Sequence, residues 1–170
     1  MHIVKIVITG PFASGKTTFI KTLCGKVLTT EKTLSLYLER RIKKTTTVAL
    51  DFGITYSTRR KLYLFGTPGQ KRFWFMIPIL IKGAHGVIFL VDSSSKAAVY
   101  RAIPLYLNIR KLLNGTPYLI AANKQDIPNS LSPDKVANLM GLNDELYPLI
   151  ALDKVSCTSI IERLLYKIDT

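Results

Sequence analysis

Eight residues, Gly10-Pro11-Phe12-Ala13-Ser14-Gly15-Lys16-Thr17, fit the pattern G-x-x-x-x-G-K-[ST] in full. The glycines let the backbone wrap a polyphosphate, successive N–H groups point inward, and a following helix adds its positive dipole end. Lys16 would reach the β- and γ-phosphate oxygens as a point charge, and the Thr17 hydroxyl is placed to ligate Mg²⁺. Gly10, Phe12, Ala13, Ser14, Gly15, Lys16, Thr17 and Thr18 are therefore the candidate contacts to the phosphates.

Three further groups carry chemistry. Thr47 offers a hydroxyl and a backbone N–H suited to Mg²⁺ and a terminal phosphate. Gly69 offers a backbone N–H, and Gln70 an amide able to orient a water. In Asn123-Lys124-Gln125-Asp126 a carboxylate stands two residues beyond a lysine. Such a carboxylate accepts from both N1–H and the 2-amino group of guanine, a donor pair adenine lacks. Lys124 would lay its methylenes over the purine plane. The candidate catalytic residues are Gln70, Lys16 and Thr47, and the candidate metal ligands Thr17, Thr47 and Asp51.

These groups need a scaffold that brings them to one edge. Ile3 to Ile8 is apolar and largely β-branched, as in a strand buried on both faces, and Lys16 to Cys24 has helix length and ends at Gly25. From Thr29 to Thr46 the pattern dissolves into Thr-rich and basic residues, which reads as a long mobile connection of functional length. Thr47 to Ile54 and Lys61 to Phe65 read as a hairpin. If its turn is centred on Thr58-Arg59, Asp51 lies opposite Gly66. Lys71 to Lys82 is basic and aromatic, with Pro78 bending or ending any helix there. Gly86 to Val91 is a further strand, and Asp92-Ser93-Ser94-Ser95 forms a helix N-cap cluster. Ala97 to Leu113 should be helical, with Pro104 predicting a kink or two shorter helices. Tyr118 to Ala122 and Leu149 to Leu152 are the last strands; Ser132-Pro133 opens a helix that Gly141 ends, and the final helix runs from about Thr158 to Ile168. This alternation predicts an α/β fold with a mostly parallel sheet covered by helices on both faces. Ligands of such sheets bind at the C-terminal strand ends, where all four groups fall.

The 170 residues, 48% of them hydrophobic, form one domain, residues 1–170, with no apolar run near the roughly 18 residues of a membrane span. His2 follows the initiator, where myristoylation needs glycine, and no leader or prenylation box is present, so a cytoplasmic location is expected. Two cysteines, Cys24 and Cys157, are too few for a disulfide framework. The net charge of +13 points to an acidic partner or an anionic membrane surface. Its basic clusters form no aromatic-interleaved tract, which disfavours nucleic acid.

GPFASGKT, TVALDF, TPGQ, NKQD and Ser156-Cys157-Thr158 occur in the order and spacing of the Ras superfamily, and over residues 3 to 168 the chain resembles a small GTPase. The GTPGQ turn and the Asp92-Ser93 strand ending look closest to the Arf and Rab branches and their prokaryotic relatives. The resemblance implies a P-loop NTPase G domain with six strands and five helices, GTP/GDP and Mg²⁺ as ligands, and effector, exchange and activating proteins as partners. It also implies that Ser156 and Cys157 approach the guanine O6 through a loop backbone, with Thr158 of the same motif a further nucleotide contact. Three departures stand out. Gly66 replaces the Asp that holds Mg²⁺ through water, leaving Asp51 or Asp92 as substitutes. Phe12 stands close to where an arginine finger would pass, and no lipid anchor or amphipathic helix precedes Ile3. A GTP-binding switch with slow hydrolysis is the leading expectation. A basic RNA- or ribosome-binding factor and a non-hydrolysing scaffold are the alternatives.

Overall fold

A computed structural model of the chain describes residues 2–29, 50–58 and 60–170. Seven strands form one sheet in the order β2-β3-β4-β1-β5-β6-β7, with β1 His2–Thr9, β2 Leu28–Thr29, β3 Asp51–Ser57, β4 Arg60–Gly66, β5 Gly86–Asp92, β6 Tyr118–Asn123 and β7 Leu146–Pro148. Five of the six expected strands are present, a three-residue β7 stands in place of the sixth, and the two-residue β2 extends the antiparallel edge. Strands β4, β1, β5, β6 and β7 run parallel, while β3 is antiparallel to β4. The α/β class with its mostly parallel sheet is thus observed.

Helices cover both faces. α1 (Lys16–Cys24) and α5 (Lys154–Asp169) pack Phe19, Ile20, Ile160 and Leu164 against Ile6, Ile8 and Leu64. α2 (Ile77–Ile81), α3 (Lys96–Arg110) and α4 (Pro133–Met140) pack Ile77, Val99, Leu105 and Val136 against Val7, Phe89 and Val91. β5 sends side chains into both layers and is buried from Gly86 to Val91, which is why its sequence is continuously apolar. Among the described residues no helix is long and apolar enough to cross a membrane.

Several boundaries differ from expectation. α3 continues through Pro104 as one helix. The proline faces solvent, so the carbonyl it frees four residues earlier remains open to water. Lys71–Met76 is a 3₁₀ helix that passes into α2, which Pro78 starts instead of ending. The last strand is Leu146–Pro148, three residues before the expected Leu149 to Leu152, which instead forms a loop with Leu149 and Ala151 buried and Leu152 exposed. Leu149 and Ala151 insert into the core from that loop, and burial alone made it resemble a strand. α5 starts at Lys154 and not near Thr158, because Asp153 caps it by accepting from the Ser156 N–H at 2.8 Å. The connection over residues 30–49, Thr47 included, lies outside the described residues.

The sheet edge that carries α1 depends on a close approach at Gly53. A Cβ there would lie 2.5 Å from Cys24 Sγ and 2.8 Å from Ile20 Cγ2. Gly53→Val should therefore destabilise the protein by about 1–3 kcal/mol through overpacking. Urea unfolding measures this, and an unchanged midpoint would show that α1 is not seated on β3.

Candidate functional site

The cradle closes where β1 turns into α1. Gly10 has φ 150°, Ala13 φ 62° and Gly15 φ 102°, so the turn uses backbone angles that L side chains resist at three points. A Cβ on Gly10 would meet Leu90 O at 2.4 Å, and one on Gly15 would meet Asn123 Nδ2 at 2.2 Å. Glycine is thus required at both positions by space as well as by angle. Lys16 is buried, and its Nζ donates to Gly10 O at 2.8 Å and Pro11 O at 2.7 Å. Burial pushes its pKa down to about 8, against the opposing pull of Asp51. An ammonium held in so little water is a strong partner for phosphate oxygens.

Asp51 pairs with Gly66 across the β3–β4 hairpin, the register expected from the sequence. Its Oδ2 accepts from the Thr17 hydroxyl. A Cβ on Gly66 would lie 3.0 Å from Asp51 Cβ and 3.1 Å from Ile20 Cδ1, so the space left by the missing side chain is taken up by Asp51. One hydroxyl and one carboxylate beside a phosphate cradle is a donor set that suits Mg²⁺, which keeps several waters and uses few protein oxygens. Asp92 is spent elsewhere. It accepts from Lys124 Nζ at 2.7 Å and from the Ser94 N–H at 2.9 Å. Burial raises its pKa, but these hydrogen bonds outweigh that and hold it below the usual carboxylate range. The cap of α3 is Ser95, which accepts from Ala98 N at 3.1 Å, so Asp92 caps no helix.

The TPGQ turn crosses the same edge. Thr67 is buried, donating to Thr9 Oγ1 at 2.8 Å, and Gly69 lies so close to the cradle that a Cβ would meet Phe12 N at 2.5 Å. Gln70 is exposed, and its Oε1 accepts from Arg72 Nε at 2.8 Å. Phe12 projects from the cradle, 72% exposed. Lys16, Thr17, Asp51, Gln70, Arg72 and Lys124 all line one cleft of about 680 Å³. Ala13, Gly15 and Thr18 line it as well.

Asn123 ends β6 and is only 2% exposed. Its Nδ2 donates to Ser14 O at 2.8 Å and its Oδ1 accepts from Ala151 N at 2.9 Å, so the amide ties the cradle to the 149–153 loop. Lys124 and Asp126 follow it, Lys124 with φ 70° and Asp126 exposed. Ser156, Cys157 and Thr158 are not brought to this site through a loop. They occupy the first turns of α5, where Ser156 Oγ accepts from Ile150 N at 2.9 Å and Thr158 Oγ1 donates to Lys154 O at 2.8 Å. Cys157 is fully buried, and burial with Asp153 nearby pushes its thiol up to about 12. The loop that abuts the cradle is the one holding Ala151, whose Cβ is 3.7 Å from the position a Gly15 Cβ would take. The apolar spacing Cys157, Ile160, Ile161, Leu164, Leu165 is the signal that places Cys157 on the core face of a helix.

The family model described as "Conserved hypothetical ATP binding protein" matches residues 25–167. The chain is similar to an uncharacterized protein of Methanocaldococcus jannaschii, 33% identical over 125 residues that make up 73% of this chain and 71% of the relative. It is 28% identical to the mutual gliding-motility protein MglA of Myxococcus xanthus, over 78% of this chain and 72% of that protein. It is 30% identical to the human ADP-ribosylation factor-related protein 1, over 76% of this chain and 63% of that protein. Among solved structures, a FeoB G-domain from Methanococcus jannaschii shares the fold with a TM-score of 0.68 at 20% identity, covering 100% of both chains.

Proposed function

This chain belongs to the Ras superfamily of small GTPases and to the family described as conserved hypothetical ATP binding protein, and on that premise we propose that it is a GTP-binding molecular switch with slow intrinsic hydrolysis. The observation that carries the reading is the single cleft into which Lys16, Thr17, Gln70 and Lys124 all face. Asp126 selects guanine, because adenine has no donor pair for its carboxylate. Gln70 is a poor base, so hydrolysis without help is slow. The output is contact with a protein partner in the cytoplasm, through the Gly66 to Lys82 segment and the Thr29 to Thr47 connection. Phe75 and Ile79, both exposed on that first segment, suit such a contact.

Thr17 and Asp51 would hold Mg²⁺ beside the phosphates, with Thr47 joining them in the GTP form. The ion would neutralise charge on the β- and γ-phosphates. Asp51 takes the part that the family gives to the residue here replaced by Gly66, reaching the same place from the neighbouring strand.

Equilibrium affinities for GTP, GDP and ATP test the base reading. GTP and GDP should be preferred over ATP by roughly a hundredfold or more, since a site built for a hydrogen-bonding group rejects a ligand without it. Asp126→Asn should lose GTP and GDP and gain xanthine nucleotides. ATP bound as tightly as GTP, or unchanged affinities in the variant, would remove guanine as the ligand.

Mg²⁺ titration of the GDP form tests the metal reading separately. Asp51→Asn should weaken Mg²⁺ binding, and Asp92→Asn should leave it as in wild type. Equal affinities in all three proteins would show that Asp51 does not compensate for Gly66.

A further inference from the structure

The hydrogen bond between Arg72 and Gln70 falls on the amide assigned to orienting water. A glutamine amide has two ends of similar shape, and only Oε1 accepts. The Arg72 guanidinium is a donor without acceptor capacity, so its Nε at 2.8 Å admits Oε1 and excludes Nε2. Both side chains are exposed and would otherwise sample many rotamers. Arg72 is itself held, because its guanidinium carbon lies 4.6 Å from the centre of the Phe73 ring. Phe73 packs in turn against Leu50, Met76 and Leu80. The next residue, Trp74, donates its Nε1–H to Gly69 O at 3.3 Å, so residues 72–74 brace both members of the Gly69-Gln70 pair. Among the described residues the ion pairs are Arg60–Asp169 and Lys124–Asp92, and neither occupies Arg72.

We propose that Arg72 is a positioning residue for hydrolysis: by engaging one lone pair of Gln70 Oε1, it sets the amide so that Nε2 faces a terminal phosphate oxygen and the other lone pair faces water. The inference rests on the GTPase reading above. In the step it serves, the water oxygen bonds to the γ-phosphorus and the bond to the β,γ-bridging oxygen breaks, its electron pair leaving with GDP. The water proton ends on the released phosphate. Phe12 stands exposed on the cradle beside Gly69, so an orienting group supplied within the chain avoids a path that Phe12 narrows.

The test is a double-mutant cycle read by single-turnover GTP hydrolysis and by GTP affinity, on wild type, Arg72→Ala, Gln70→Ala and the double variant. Arg72→Ala should slow hydrolysis roughly ten- to a hundredfold, the scale of a misplaced reacting group, with GTP affinity unchanged. In the Gln70→Ala background the same substitution should have no further effect, because Arg72 acts only through that amide. Equal slowing in both backgrounds would overturn the inference, as would wild-type rates in Arg72→Ala or a loss of GTP affinity that accounts for the slowing. A wild-type protein that binds GTP without turning it over would overturn the hydrolysis reading itself, and the inference with it.

Discussion

One buried amide holds the nucleotide edge of this molecule together. Asn123 sits where β6 stops, and its two polar ends reach in opposite directions, to the carbonyl of Ser14 in the cradle and to the N–H of Ala151 in the 149–153 loop. Neither backbone group has an obvious substitute, since both lie where water is excluded, and an unpaired buried polar group costs about 1–3 kcal/mol. Gly15 is required by the same contact, because any side chain there would strike the Asn123 amide. Lys124, the residue that follows, therefore lines the cleft from a position referenced directly to the phosphate cradle, with Asp126 exposed two residues on.

The Asp51 end of the cleft follows a different logic. The parallel strands bring Lys16 and Thr17 to the edge, but the carboxylate comes from the one antiparallel partner of β4. The β3–β4 register sets Asp51 beside Gly66, so the loss of a side chain on one strand and the placement of an acid on the next are two halves of one arrangement. A one-residue slip would turn Asp51 to the opposite face. The hairpin is held against such a slip by Phe52 on Phe65, ring centres 4.9 Å apart, and by Phe52 edge-on to Tyr63 at 5.7 Å.

Much of this was legible before any coordinates. The cradle is readable because glycine spacing, Lys16 and the flanking apolar strand obey one local geometry, and the hairpin register because it depends only on where the turn is centred. What failed was local in another way. Leu149 and Ala151 are apolar because they plug the core from a loop, and composition does not distinguish that from a strand. Ser156-Cys157-Thr158 matched a familiar string of residue types, while the helical spacing from Cys157 to Leu165 and the cap at Asp153 already placed that string on a helix. Arg72 carries no signal in the sequence, because its partner is two residues away and the contact depends on side-chain direction within a 3₁₀ turn. The link between Asn123 and Ala151 spans 28 residues and two elements, so no spacing in the chain announces it.

The claim that the Asn123 amide is what ties the end of β6 to the cradle is tested most directly by urea unfolding of nucleotide-free Asn123→Ala. Truncation leaves Ser14 O and the Ala151 N–H buried without partners, so the variant should lose about 2–4 kcal/mol of stability before any ligand is added. A nucleotide-free stability equal to wild type would contradict the account, because the amide would then matter only to a bound nucleotide and not to the architecture that receives it.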